Sequence, residues 1–270
     1  MKLAFVGAGK MGQSLLGGVL QSGWLEAHEL GVVTKDPTHA EQIAAQWKIK
    51  ALDLSGLRGV ERVVLAVPPR EFPALAPKLR HPSTGYISIM AGVTCAFLAG
   101  ALGTQRVVRA MPNLAATIGR SSTAVTAPPE AEEAGDLEFA RRLFATVGEI
   151  YPLPERLFNA FTGMSASAPA YLALVAEALA DGGVFLGLSR EMANHLARDA
   201  LLATGELLAS NTSLALREKV ASPGGTTVHG LAVLESQGVR GALIEAVAKA
   251  AARGEALARE ASGDLNPQDF

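Results

Sequence analysis

A single cysteine, Cys95, in a chain of 270 residues excludes an internal disulfide and any fold held together by oxidation. It suits a reducing compartment, and a cytoplasmic location is expected. The segment Gly92-Val93-Thr94-Cys95-Ala96 holds no histidine to activate the thiol, so Cys95 reads as a small packed residue. Aromatic residues are scarce at 5%, which leaves the core to Ala, Leu and Val. Neither sign of charge dominates: 24 Lys and Arg face 26 Asp and Glu, a formal net charge of −2. A general attraction to nucleic-acid phosphates is thereby excluded. No His/Cys/Asp/Glu grouping has metal-ligand spacing, and no Ser/His/Asp set is evident, so neither a metal centre nor a hydrolytic triad is expected. The apolar N-terminal run is too short for a signal peptide. The longest uncharged stretch, 159–176, contains Thr162, Ser165, Ser167 and Pro169. It reads as a buried helix at a subunit contact, not as a membrane span.

What is present divides into two halves. Short β-rich runs at 2–6, 30–34, 62–67, 85–90, 106–110, 122–126 and 149–153 alternate with helical patterns at 11–22, 37–47 and about 130–146. Strands separated by such helices pair in parallel with right-handed crossovers. Beyond Pro154 the strand signals cease. Helices are expected at 155–167, 170–186, 190–209, 214–220, 226–235 and 240–260, and the polar tail 262–270 is expected to fray. The expected fold is thus an α/β dinucleotide-binding domain with a doubly wound, mostly parallel sheet over 1–152, followed by an all-helical domain over 153–270.

Gly7-Ala8-Gly9-Lys10-Met11-Gly12 is G-x-G-x-x-G, placed between a strand and a helix, the context that gives the pattern meaning. Gly7 permits a tight turn, Gly9 lets a pyrophosphate approach the backbone, and Gly12 lets the helix pack closely. The helix start offers N–H groups and a positive dipole end to the phosphates. An NAD site usually carries an acid at the tip of the second strand. Here the tip is Thr34-Lys35, a hydroxyl and a cation that suit the 2′-phosphate of NADPH, although Asp36 follows at once. NADPH is favoured, with NADH the second option.

The second informative stretch is Ser222-Pro223-Gly224-Gly225-Thr226-Thr227. Ser222 reads as an N-cap and Pro223 as the first helical position. Gly224 and Gly225 open the backbone to a ligand, and Thr226 and Thr227 add hydroxyls, together a site for a small anion such as a carboxylate. The alternative is an ordinary capped helix start, which must then account for two glycines in a first turn.

These motifs, with Met90-Ala91-Gly92-Val93, Val108-Arg109-Ala110-Met111-Pro112-Asn113 and Ala168-Pro169-Ala170-Tyr171, resemble the pyrroline-5-carboxylate reductase family over nearly the whole chain. The resemblance implies an NAD(P)H-dependent reductase of a cyclic imino acid that makes proline. It also implies a homodimer formed through intertwined helical domains, in many members assembled into a decamer. It places Ser222, Gly224, Gly225, Thr226 and Thr227 on the substrate carboxylate, with Thr227 also reaching the ring nitrogen. It places Gly9, Met11, Thr34, Lys35, Ala66, Pro68, Ala91, Gly92 and Asn113 around the cofactor, beside Gly7 and Gly12 of the loop. The chain departs from the family pattern in four places. Pro68 stands where a lysine is usual, with Arg70 nearby. Lys10 replaces an Asn, and either pairs with a phosphate or is simply exposed. Ala166 and Ala168 replace glycines, and Lys219 replaces Asn or Gln.

In the implied reaction a hydride reaches the imine carbon and a proton the nitrogen. Thr227 is the candidate catalytic group. His229, two residues further on, points away from its helix face and reads as structural. Tyr171 reads as a packing residue, and Glu177 and Asp181 as partners of helix ends or a neighbouring subunit. Rival readings are a reductase of another cyclic imine, a β-hydroxyacid dehydrogenase and a non-catalytic NADP sensor. The dehydrogenase needs a lysine in the helical half, yet none lies between Lys78 and Lys219. The sensor has no need of 222–227.

Overall fold

A computed structural model describes residues 1–262; the tail expected to fray lies almost wholly outside the described residues. The strands are β1 (Leu3–Val6), β2 (Leu30–Val33), β3 (Lys50–Ala51), β4 (Arg62–Leu65), β5 (Gly85–Ser88), β6 (Val107–Met111), β7 (Ser121–Thr126) and β8 (Gly148–Pro152). They form one sheet in the order β3-β2-β1-β4-β5-β6-β7-β8. All neighbours are parallel except β6 and β7. The exception has a local cause. A parallel crossover needs a dozen or more residues, and the segment between β6 and β7 holds only a 3-10 turn, Leu114–Ile118. The two-residue β3 is too short to leave an alternating pattern, and no strand is expected there from the sequence.

Around the sheet lie α1 (Lys10–Ser22), α2 (Pro37–Trp47), α3 (Phe72–Leu75), α4 (Cys95–Leu102), α5 (Pro129–Glu133) and α6 (Asp136–Ala145). Successive side chains of a strand face opposite ways, and the two faces found separate cores. Leu3 and Phe5 of β1 join Leu15 and Val19 of α1 and Leu143 and Phe144 of α6. Ala4 and Val6 join Phe72 of α3, Leu79, and Leu98 and Leu102 of α4. β1, β2 and β5 are buried along their whole length, as expected of strands covered on both faces. α4 was not expected: Cys-Ala-Phe-Leu-Ala-Gly-Ala-Leu is apolar all round, so it shows no helical period. The helix expected from about 130 to 146 is broken by Gly135, whose φ of 75° separates α5 from α6.

The helical stretch continues through α7 (Phe158–Phe161), a π-helical turn (Thr162–Ala166), α8 (Ala168–Phe185), α9 (Arg190–Leu208), α10 (Ser213–Val220), α11 (Thr226–Ser236) and α12 (Val239–Ser262). The single helix expected over 155–167 is therefore a 3-10 turn, one α turn and a π turn. The Thr162 hydroxyl donates to the Phe158 carbonyl at 2.8 Å, the back-bonding that loosens a helix ladder.

By compactness the described chain divides into Met1–Ala166 with residues 249–262, and Ser167–Ala248. The sheet ends at Pro152, where the sequence suggests a boundary. The sheet unit nevertheless keeps Phe158, which is fully buried, and the second half of α12. In the helical unit α8 packs on α9 through small residues, Ala180, Ala193 and Ala197. These three are its only buried apolar residues, while Leu174, Phe185 and Leu202 are more than half exposed.

One buried charge cluster holds the sheet at the N-terminal ends of β4 and β5. Asp136 is 0% exposed; it accepts from Arg62 Nε at 2.9 Å and from Arg106 Nε at 2.9 Å. Its hydrogen bond raises the pKa of Arg106 above the ordinary guanidinium value. A Cβ on Gly85 would stand 2.5 Å from Asp136 Oδ1, so only glycine fits beside the carboxylate. Asp136→Ala removes the buried acceptor shared by two largely buried guanidinium groups and is expected to cost about 3–5 kcal/mol of stability. Urea unfolding measures this, and a loss below about 1 kcal/mol would remove the cluster from the account.

Candidate functional site

The C-terminal ends of β1 and β4 frame the site. Gly7 leaves β1 at φ 86°, and a Cβ there would meet the Ala66 carbonyl oxygen at 2.6 Å. The turn is thus pressed against the exit of β4. A Cβ on Gly12 would stand 3.0 Å from the Gly7 carbonyl oxygen, so α1 also sits directly on the turn. Gly9 differs: a Cβ there would meet nothing within 4 Å. Gly9 is the N-cap of α1, which has no side-chain cap and no acid in its first turn. The arrangement leaves N–H groups and the dipole end directed at open space.

That space is a cavity of about 1070 Å³ within the sheet unit. Gly7, Gly9, Met11, Thr34, Lys35, Ala66, Pro68 and Ala91 line it, together with Met90, Met111 and Pro112. Lys10 is exposed and does not line it. Gly12 stands behind the turn. Gly92 lies against α12, where a Cβ would meet the Ala258 nitrogen at 2.9 Å. Asn113 is buried and engaged elsewhere: its Oδ1 accepts from Ala115 N–H at 3.1 Å, and its Nδ2 donates to Ser165 Oγ at 3.2 Å.

The acid at the second strand tip is resolved by the structure. Asp36 caps α2, accepting from Thr38 N–H at 3.0 Å, and it does not line the cavity. The cations do. Lys35, Arg70 and Lys78 line it beside His39, with Glu71 as the one carboxylate. None of these four side chains has a hydrogen bond or ion pair among the described residues. His39 and Lys78 were not legible in the sequence, because only the fold brings α2 and the chain after α3 to one rim.

In the helical unit the 222–227 segment is built differently from the expectation. Ser222 is not an N-cap, and the helix does not begin at Pro223. Instead 222–225 form a turn, with Gly225 N–H donating to the Ser222 carbonyl at 3.0 Å. Pro223 at its second position and Gly224 at φ 69° in its third are the residues of a type II turn. The glycines precede the helix, so the helix does not bear their cost. α11 begins at Thr226 with Gly225 as N-cap and no side-chain cap. A Cβ on Gly225 would lie 2.4 Å from Ser222 Oγ. His229 Nδ1 donates to the Gly225 carbonyl at 3.0 Å and so braces the turn. Tyr171 donates to the Ala246 carbonyl at 3.4 Å, and Asp181 pairs with Arg190 at 2.6 Å. Lys219 donates to Asn211.

Cys95 is 8% exposed. Burial, and next the nearby Glu155 carboxylate, push its pKa up to about 12. No cluster of three metal-binding side chains occurs among the described residues.

Residues 155–257 match the family model described as pyrroline-5-carboxylate reductase dimerisation, and residues 2–92 that described as NADP oxidoreductase, coenzyme F420-dependent. The sequence is 57% identical over 257 residues to a pyrroline-5-carboxylate reductase of Thermus thermophilus, covering 95% of this chain and 98% of the relative. It is 36% identical over 270 residues to the enzyme of that name from Synechocystis, covering 96% and 99%. Among solved structures, the fold is similar to Plasmodium falciparum pyrroline carboxylate reductase with NADP bound, with a TM-score of 0.84, 25% identity and coverage of 96% and 98%.

A thiol with a pKa near 12 is ionised to about one part in ten thousand at pH 8. Alkylation of native Cys95 by iodoacetamide at pH 8 is therefore expected to be far slower than in urea. Equal rates in the two conditions would show that the thiol is neither buried nor shifted.

Proposed function

The chain belongs to the pyrroline-5-carboxylate reductase family, and on that premise we propose that it reduces 1-pyrroline-5-carboxylate to L-proline with NADPH. The observation that carries the reading is the cavity at the split between β1 and β4, in a chain that matches a relative of that name over 95% of its length. Ligands of doubly wound sheets bind at such a switch point. The residues fit a dinucleotide: the space over Gly9 is open, α1 offers an uncapped N-terminus, and the rim beside the β2 tip is cationic. We read 1–152 as the cofactor half and 153–270 as the substrate and dimerisation half.

Lys35, with His39, Arg70 and Lys78, would hold the 2′-phosphate, which favours NADPH over NADH. Arg70 and Lys78 supply charge where Pro68 has replaced a lysine. The N–H groups at the start of α11, reached past Gly224 and Gly225, would bind the substrate carboxylate, and Ser222 and Thr226 add hydroxyls. The Thr227 hydroxyl would hydrogen-bond the ring nitrogen and orient the imine. The nicotinamide, when bound, supplies the hydride; the protein supplies position and electrostatics. His229 is committed to Gly225 and is left out of proton transfer.

The stretch Glu155–Phe185 is long and apolar enough to cross a membrane by length and composition, and little of it is buried within the chain. It lies within the dimerisation match, and a second copy of the chain is the cover we assign to it. Whether such dimers join into a decamer is a question of assembly size that sedimentation would answer. A hydroxyacid dehydrogenase is disfavoured, since Lys219, the first lysine after Lys78, donates to Asn211.

Two substitutions test the assignment. Lys35→Ala is expected to raise the KM for NADPH about tenfold while leaving that for NADH nearly unchanged; parallel changes would end the 2′-phosphate argument. Thr227→Ala is expected to lower turnover about 10- to 100-fold while NADPH still binds, measured by nicotinamide fluorescence. A wild-type rate in that variant would remove Thr227 from the chemistry.

A further inference from the structure

The loop from Ile89 to Thr94 follows β5 and enters α4, and Ile89, Met90 and Ala91 line the cavity. If the pyrophosphate lies at α1 and the adenosine ribose at the β2 tip, the nicotinamide half extends the other way, past β4 to β5 and β6. This loop is then the wall of the nicotinamide end.

Two later parts of the sheet unit hold that wall. Glu155 Oε1 accepts from Cys95 N–H at 2.8 Å, and Cys95 is the first residue of α4. The carboxylate thus takes an otherwise orphan N–H at a helix N-terminus, from 60 residues away in sequence. The same oxygen accepts from Arg109 Nη1 at 3.0 Å. Arg109 is 5% exposed and stacks over the buried Phe158 ring at 4.7 Å, so the guanidinium has little freedom to move. The second hold is Gly92, at φ 76°, pressed against the backbone of α12.

Strand register explains how Glu155 arrives there. Arg109 of β6 pairs with Thr126 of β7, and Val125 pairs with Pro152 of β8. The antiparallel step between β6 and β7 returns the chain to the level of Arg109, and Glu155 follows shortly after Pro152. Residue and target meet because the sheet reverses once.

We propose that Glu155 is a positioning residue for the nicotinamide. Anchored by Arg109, it fixes the first turn of α4 and hence the Ala91 wall, without touching the cofactor itself. The inference rests on NADPH occupying this cavity. Its consequence is asymmetric, because only the nicotinamide end depends on Glu155.

The test compares two ligands by titration calorimetry: NADPH, and adenosine 2′,5′-bisphosphate, which occupies only the adenosine end. Glu155→Ala is expected to weaken NADPH about tenfold, the effect of one lost charge-assisted hydrogen bond, and to leave the bisphosphate within about twofold. Glu155→Gln keeps an oxygen for Cys95 N–H and loses the ion pair. It is expected to recover most of the NADPH affinity, and alone it shows a loss of about threefold confined to NADPH if the alanine variant does not fold. Unchanged NADPH affinity in the variants overturns the proposal. So does equal weakening of both ligands, which marks general damage. If the wild-type protein binds neither ligand, the cofactor reading itself has failed.

Discussion

A contact between two backbones, with no room for a side chain, governs the sheet unit. Gly7 lies on the carbonyl of Ala66, and Ala66 N–H donates to the Val6 carbonyl at 2.8 Å. Because β1 has β2 on one side and β4 on the other, the chain leaves the two central strands in opposite directions, and a cleft opens between their ends. A Cβ at residue 7 would force those ends apart. The cleft, the seat of α1 and the opening over Gly9 follow from keeping them together.

Charge is distributed along the strands in a way that matches this geometry. At the N-terminal ends, Asp136 is buried and fully engaged by Arg62 and Arg106. At the C-terminal ends, Lys35, His39, Arg70 and Lys78 line the cavity without partners among the described residues. The first arrangement holds strands, since a buried carboxylate tolerates no missing partner. The second is open to an incoming anion. Between them stands the Arg109–Glu155 pair, half structural and half turned to the loop that bounds the cavity.

Much of this was legible from residues whose identity is dictated by sterics. Gly7 and Gly12 announce a turn because nothing larger fits, and the alternating apolar runs announce a sheet covered on both faces. The cap formed by Asp36 was not legible, since a sequence does not show which N–H a carboxylate will take. α4 was hidden by its uniform apolarity, and the π turn at 162–166 has no compositional mark. Around 222–227 the residues were noticed but their roles were displaced: proline and glycine serve a turn ahead of the helix, with Gly225 as the cap. Gly92 shows the converse difficulty, for a glycine in a promising loop turns out to accommodate the backbone of α12. His39, Lys78 and Glu155 became visible only once distant segments were brought together.

The helical unit has three buried alanines as its interior and bulky leucines on its outside. So small an interior contributes little against the entropy of ordering some eighty residues. On the proposed dimer, ordering of this unit and its covering by a second chain would be a single event, and the relevant variable becomes protein concentration. Dilution acts on such a molecule as a denaturant does, and selectively: the sheet unit, with cores on both faces, withstands it, while the helices lose the surface that kept them in register.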